Sequence, residues 1–317
     1  MSIIHLARMS LVLFVGLGSI GTRHLNNLAE VCARRGIEFK ADALRSSLRP
    51  LPGDAAQKLR AQYVSFDQLG HYDAAFITTP THLHAHAIAE LAGKADCFFI
   101  EKPIFEGTGY DLEQLGLGPG QKAYVAAPMR WCGVYLALKE LLGSLRPYSA
   151  RVICSSYLPG WRPGVDYRQV YSAHKAMGGG VTIDLIHEWD YMVDLFGPPL
   201  ACYNFKGTYS HLEIDSDDLS VYIARYPNML AEIHLDYFGR TYRRSIELFC
   251  RDGTVTADFG AGTLTLADGT VERHEEPLNQ RYLREMEYFV DYALQGRGES
   301  VNSPGMALDV LRLTLGE

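Results

Sequence analysis

LVLFVGLGSIGTRHLNNLAEVCARR, residues 11–35, decides the fold. Residues 11–15 are an unbroken β-branched and apolar run, which reads as a buried strand. Gly16, Gly18 and Gly21 then form G-x-G-x-x-G. Residues 22–35 follow helical spacing, with Leu25, Leu28, Ala29 and Cys32 on one face. The glycine pattern alone is weak. Between a strand and a helix it is a dinucleotide fingerprint. The glycines permit a tight turn and close backbone approach to a pyrophosphate. The helix N-terminus then offers N–H groups and the positive end of the dipole, with Ser19 and Ile20, between the glycines, counted in the cofactor site.

Outward from this stretch the pattern repeats. Strands are predicted at 39–44, 73–77, 97–100 and 124–126, with a helix at 83–92. Strand and helix in alternation mean a parallel doubly wound sheet. Beyond residue 126 the style changes. Strand-like runs occupy 149–157, 201–209, 219–225, 229–235, 244–250 and 263–266, and a late helix covers 282–294. These make a mostly antiparallel sheet. The sequence therefore predicts an α/β protein with a Rossmann dinucleotide-binding domain over 1–126. A substrate-binding and oligomerisation domain follows over 127–317.

Composition narrows the class. The chain has 317 residues, 47% hydrophobic and 21% charged, with a net charge of −7. An acidic chain is a poor partner for nucleic acid, which needs a basic surface. No stretch approaches the ~18 apolar residues of a membrane span. The first 21 residues, with Arg8 before an apolar run, have the outline of a signal peptide. That run flows into the glycine turn, so it is read as strand and turn. The six cysteines form no C-x-x-C pair, which predicts cytoplasmic thiols and no metal site.

The end of the second strand should select the cofactor. An acid there binds the ribose 2′-hydroxyl of NAD, and a base suits the 2′-phosphate of NADP. Arg45 and Ser46 form the basic version, which favours NADP over NAD. Asp42 is the competing selector. Further on, Glu101-Lys102-Pro103 closes a buried strand at the edge where open α/β sheets bind ligands. The proline fixes the backbone there, with a cis peptide as one way to do so. Residues 178–191, GGGVTIDLIHEWDY, place Asp184, His187, Glu188 and Asp190 in an apolar helix. Buried carboxylates are costly unless paired, so this segment calls for partners.

Four motifs in order, G-L-G-S-I-G-x-R-H, T-P-T-H-L-H, E-K-P and the glycine-led helix with Asp and His, resemble the Gfo/Idh/MocA oxidoreductases. The resemblance implies an N-terminal Rossmann domain and a C-terminal domain with an open, mainly antiparallel sheet. It implies NAD(P), hydride transfer at a sugar or cyclitol carbon, and a homodimer or homotetramer built on the sheet face. It adds Thr79, Pro80, His84, Glu101 and Lys102 to the cofactor site. It places Lys102 and His187 at the reacting carbon, in a cleft that the glycines let the helix approach. A histidine has the pKa to move the hydroxyl proton, and a lysine can steady the oxygen. Asp184 stands three residues before His187, where the family's spacing is four. As an i,i+3 neighbour it is a candidate orienter of the histidine or a substrate contact. Glu188 and Asp190 read as solvated or structural.

The loop before that helix carries Tyr157, Trp161, Arg162, Tyr167 and Arg168. Aromatic faces suit sugar rings, and arginines suit carboxylates and phosphates. The sequence reading is thus a sugar dehydrogenase or reductase whose substrate is anionic: a nucleotide sugar, a sugar phosphate or a sugar acid. Two alternatives stay open. One is an NAD-dependent lyase or glycosidase with no net redox change. The other is a non-catalytic NAD(P)-binding sensor.

Overall fold

The glycine turn sits where its sequence puts it, between β1 (Ser10–Val15) and α1 (Ser19–Arg35). The structure, a computed structural model, describes residues 10–51 and 53–317. Arg8 and the start of the apolar leader-like stretch lie outside the described residues. The chain divides into two units. One comprises the residues up to Pro128 with Tyr282–Leu308; the other comprises Met129–Arg281 with Asp309–Glu317.

The first unit is built on a six-stranded sheet. After β1 come β2 (Phe39–Leu44), β3 (Leu59–Tyr63), β4 (Ala74–Ile77), β5 (Cys97–Ile100) and β6 (Lys122–Val125). Their order is β3-β2-β1-β4-β5-β6, and every pair is parallel. The order reverses between β1 and β4, so a crevice opens there at the carboxyl ends of the strands. Phe14 stacks on Phe76 at 4.5 Å and Phe76 on Phe99 at 4.9 Å. Leu25, Leu28, Val31 and Cys32 of α1 join this core. The helix begins at Ser19, three residues before its sequence expectation, because Gly18 caps it and accepts from Thr22 N. A second short helix, α2 (His84–Glu90), follows β4.

The strand at β3 is absent from the sequence reading. LRAQY has no apolar run and alternates over only five residues, and as an edge strand it is only half-buried. The second domain was expected to run unbroken from 127 to the end. Instead Tyr282–Leu308 returns to the first unit, because Met286, Phe289 and Val290 are buried in its core. Phe289 stands edge-on to Phe76 and Phe99, each at 5.1 Å.

The second unit is an eight-stranded sheet. After α3 (Gly133–Leu142) come β7 (Ser149–Tyr157), α4 (Val181–Asp184) and α5 (His187–Phe196). Then follow β8 (Ala201–Gly207), β9 (Leu219–Arg225), β10 (Leu230–Asp236), β11 (Phe238–Cys250), β12 (Gly253–Asp258), β13 (Thr263–Thr265) and β14 (Val271–Arg273). Helices α6 (Asn279–Phe289) and α7 (Pro304–Leu315) close the chain. The order is β14-β13-β12-β11-β7-β10-β9-β8. Only β7 and β10 pair in parallel. Period-2 burial decides the inner face: Ala150, Val152 and Cys154, Ala231, Ile233 and Leu235, Ile246 and Leu248. The missed strands β12 and β14 are poor in large apolar residues, and β14 has only three residues. No helix among the described residues is long and apolar enough to cross a membrane.

Candidate active site

In the first unit each glycine of the turn has its own reason. Gly16 lies at φ 89°, and a Cβ there would press on the backbone of Thr78 and Thr79 at 3.0–3.1 Å. At Gly21 a Cβ would stand 2.4 Å from Gly16 O and 2.7 Å from Thr78 Oγ1. Thr78 Oγ1 itself donates to Gly16 O at 2.6 Å, tying β4 to the turn. Gly18 is different: a Cβ there would meet no protein atom within 4 Å. The fold requires the first and third glycines, and the second faces open space. Gly18 and Ser19 are exposed at the start of a helix of 17 residues, whose first N–H groups lack intrahelical acceptors. A diphosphate fits that position.

Arg45 directly follows β2. Its guanidinium donates to Gln62 Oε1 at 2.6 Å and Arg49 O at 2.8 Å. Both partners are neutral, so its charge is not cancelled. Ser46 beside it is exposed. Asp42 is removed as the competing selector. It is buried in β2, accepts from Arg60 at 2.9 and 2.5 Å, and accepts from the Tyr72 hydroxyl at 3.0 Å.

Glu101, Lys102 and Pro103 follow β5, and the Lys102–Pro103 peptide is cis. Glu101 is fixed from two sides. His24 of α1, fully buried, lies 2.5 Å from Glu101 Oε1, and Lys102 N donates to Oε2 at 3.1 Å. Burial alone would raise the Glu101 carboxyl. The bond to His24, the charges of His24 and Lys102 and the backbone N–H outweigh it and hold the carboxyl below its usual range. The fingerprint histidine and E-K-P are therefore one structural device that sets the Lys102 backbone. Thr79 and Pro80 sit at the mouth of β4. His84 differs from the sequence expectation: its ring is enclosed between Ile104 O and Thr79 O, each at 3.0 Å. Burial lowers its pKa. It cannot touch a cofactor and instead staples the loop after β4 to the loop after β5.

In the second unit His187 and Asp184 are brought to one cavity of about 480 Å³. Tyr157, Trp161, Arg240, Tyr242 and Arg244 share its wall. The expected single helix is two: α4 ends at Asp184, and α5 begins at His187 after a turn at Leu185. The glycines ahead of it admit neighbouring chain and not a cofactor. A Cβ on Gly179 would meet Tyr171 O at 2.1 Å, and one on Gly180 would meet Asp217 Oδ1 at 2.2 Å. Asp217 accepts from Thr182 N at 2.9 Å and from its hydroxyl at 2.5 Å, capping the segment.

Asp184 accepts from the hydroxyls of Tyr171 at 2.7 Å, Ser172 at 2.6 Å and Tyr237 at 2.6 Å. Burial first, then the Asp184 charge, pushes both phenols up, so they remain donors. Glu188 and Asp190 are structural. Glu188 is buried in a two-bond pair with Arg244 at 2.6 and 3.1 Å, and Asp190 in one with Arg130 at 2.9 and 2.7 Å. This answers the cost of carboxylates in an apolar segment.

The substrate loop is only partly in place. Tyr157 and Trp161 line the cavity, with Trp161 Nε1 donating to Ser156 Oγ at 3.1 Å. Arg162 and Tyr167 line a separate hollow of about 10 Å³. Arg168 is outside the cavity wall; it pairs with Asp166 at 2.9 Å and Glu213 at 3.0 Å. The basic side chains of the cavity are Arg240 and Arg244, which the sequence reading passed over. The available signal was the alternation Arg240, Tyr242, Arg244 in FGRTYRR, which puts all three on one strand face. Among the described residues no group of three or more His, Cys, Asp or Glu could hold a metal ion.

Residues 11–115 match the model of an oxidoreductase family with an NAD-binding Rossmann fold, Gfo/Idh/MocA. This stretch is the NAD-binding Rossmann fold of the Gfo/Idh/MocA oxidoreductases. No curated protein matches the chain by sequence. Among solved structures, the WlbA dehydrogenase from Bordetella pertussis, in complex with NADH and UDP-GlcNAcA, is similar at 20% identity. The match covers 98% of this chain and 95% of that one, with a TM-score of 0.76. Levoglucosan dehydrogenase, in complex with NADH and levoglucosan, gives 16% identity, 98% and 96% coverage and a TM-score of 0.82. The myo-inositol 2-dehydrogenase from Lactobacillus plantarum gives 17%, 97% and 96%, and 0.77. At these identities the likeness is one of fold. It spans both units of the chain.

Proposed function

We propose that this chain is an NAD(P)-dependent oxidoreductase acting at a hydroxyl-bearing carbon of a sugar, with Lys102 and His187 as its catalytic side chains. One observation carries the reading: His187 stands in the wall of a cavity also lined by Tyr157 and Trp161, in a chain whose residues 11–115 match an NAD-binding Rossmann family. Aromatic faces with polar groups at the rim suit a sugar ring. Two of the similar folds, WlbA and levoglucosan dehydrogenase, hold sugars.

A nicotinamide dinucleotide bound at the glycine turn would supply the hydride acceptor or donor. The remaining work falls to the chain. Gly16, Gly18, Ser19, Ile20 and Gly21 hold the diphosphate, and the first turn of α1 supplies N–H donors. In oxidation an imidazole nitrogen of His187 takes the hydroxyl proton as the C–H bond gives up its hydride; in reduction it returns one. Lys102 Nζ donates to the same oxygen and offsets its developing charge. Asp184, held by three hydroxyls, is a positioning residue for the His187 segment. Turnover screened against sugar acids, nucleotide sugars and polyols with both cofactors tests the reading. A screen in which no member changes the nicotinamide signal counts against it.

Arg45 and Ser46 are proposed as the 2′-phosphate cradle, which favours NADP. Arg45→Asp is expected to weaken NADPH binding by about 1.5–3 kcal/mol, the worth of a charge-assisted phosphate pair, and to spare NADH. Titration of both cofactors by fluorescence measures this. Unchanged NADPH affinity removes Arg45 as selector.

The open side of β8 exposes Tyr203 and Phe205 at 69% and 71%, an apolar strip of the kind that marks association. It is proposed as the surface of a homodimer or homotetramer. Tyr203→Glu with Phe205→Glu is expected to give a monomer in sedimentation; an unchanged mass excludes this face. Cytoplasmic residence is proposed from six free cysteines, four of them buried.

A further inference from the structure

Of the two arginines in the His187 cavity, Arg244 is neutralised by its two-bond pair with Glu188. Arg240 is not. Among the described residues it meets no carboxylate: its guanidinium lies 3.9 Å over the Tyr157 ring and its Nη2 stands 3.5 Å from His211 Nε2. His211 also stacks beside Tyr157, with ring centroids 6.3 Å apart. Arg240 is thus an exposed cation, oriented by an aromatic platform, at the wall of a cavity with room for a sugar ring. Such an arrangement leaves the donor fork without an acceptor partner of opposite charge.

We propose that Arg240 is the specificity residue of this site, and that the group it selects is a carboxylate on the sugar. The inference rests on the oxidoreductase reading for its choice of cavity. Charge counting favours a monoanion. The wall offers one arginine without a carboxylate partner, and the acceptor oxygens of Asp184 are already engaged by the hydroxyls of Tyr171, Ser172 and Tyr237. A carboxylate matches a single planar guanidinium with two parallel bonds, whereas a phosphate dianion would keep one charge uncompensated. The expected pair, Arg162 and Arg168, cannot serve here. Arg168 is occupied by Asp166 and Glu213, and Arg162 lines the smaller hollow.

The test uses the full chain loaded with NADH and three probes: glucuronate, glucose 6-phosphate and methyl glucoside. Binding is read from tryptophan fluorescence, with Trp161→Phe identifying the cavity signal. The expected order is glucuronate first, by about tenfold to a hundredfold over the neutral glycoside, the range of a charge-assisted pair. Arg240→Gln should erase that difference while NADH affinity stays at the parental value. Arg240→Lys, which keeps charge without the fork, should retain part of it. Equal affinity or no binding of acid and neutral probes by the parent overturns the proposal. So does preference for the phosphate, or acid preference persisting in Arg240→Gln. Acid-selective binding in a protein that never transfers hydride would sink the oxidoreductase reading and leave this one standing.

Discussion

His187→Ala is expected to lower kcat by roughly 10²–10⁴, the scale of a lost general acid–base group. The change leaves the Rossmann unit untouched, so NAD(P)H titration should give the parental affinity. Lys102→Met should lose turnover on the same scale, because the oxygen loses the donor that offsets its charge. If both side chains act on one oxygen in one transition state, the double variant should be little worse than the worse single variant. Fully additive losses would assign the two residues to separate steps. Near-parental turnover in His187→Ala would remove the histidine from the chemistry and leave the Asp184–His187 segment as a binding wall.

The second large effect is expected from two glycines only three residues apart. Gly21→Ala drives a methyl to 2.4 Å from Gly16 O and 2.7 Å from Thr78 Oγ1. Neither atom can yield cheaply, since Thr78 Oγ1 is itself bonded to Gly16 O. Overpacking of this kind costs about 1–3 kcal/mol, so thermal unfolding should shift down and cofactor binding should fail with it. Gly18→Ala points into open space. Its melting temperature should stay at the parental value, and NAD(P)H affinity should still fall about tenfold to a hundredfold, the same overpacking now falling on the ligand. A Gly18→Ala protein that binds cofactor normally would show that the diphosphate does not approach this turn.

The first unit was legible because its signals are local. The five-residue apolar run at 11–15, the glycine turn and the end of β2 at Leu44 are each set within a few residues. Signals that depend on distant partners were not legible. Asp42 looks like a ribose ligand until Arg60 and Tyr72 are found on it. His84 looks like a cofactor contact until Thr79 O and Ile104 O enclose its ring. The glycines at 179 and 180 look like room for a ligand, but the space goes to Tyr171 and Asp217. Arg162 and Arg168 stand just before the helix in sequence, yet neither lines the His187 cavity. Strand pairing brings Arg244 opposite Cys154, and the Arg240–Tyr242 stretch reaches the cavity where that register breaks between Phe238 and Arg243. Sequence adjacency to a motif is a weaker guide than register across a sheet.

The proposed function stands on net hydride transfer between nicotinamide and a sugar carbon. The decisive measurement incubates the full chain with NADH or NADPH dideuterated at C4 and the keto form of a substrate from the turnover screen, then follows the label by mass spectrometry. The expected result is deuterium bound to the product's new carbinol carbon, one equivalent of oxidised cofactor per product, and loss of both in His187→Ala. Product formed with no net cofactor oxidation would contradict it, in favour of an elimination or hydrolysis that returns the hydride to the cofactor; so would a cofactor that binds and never gives up its label.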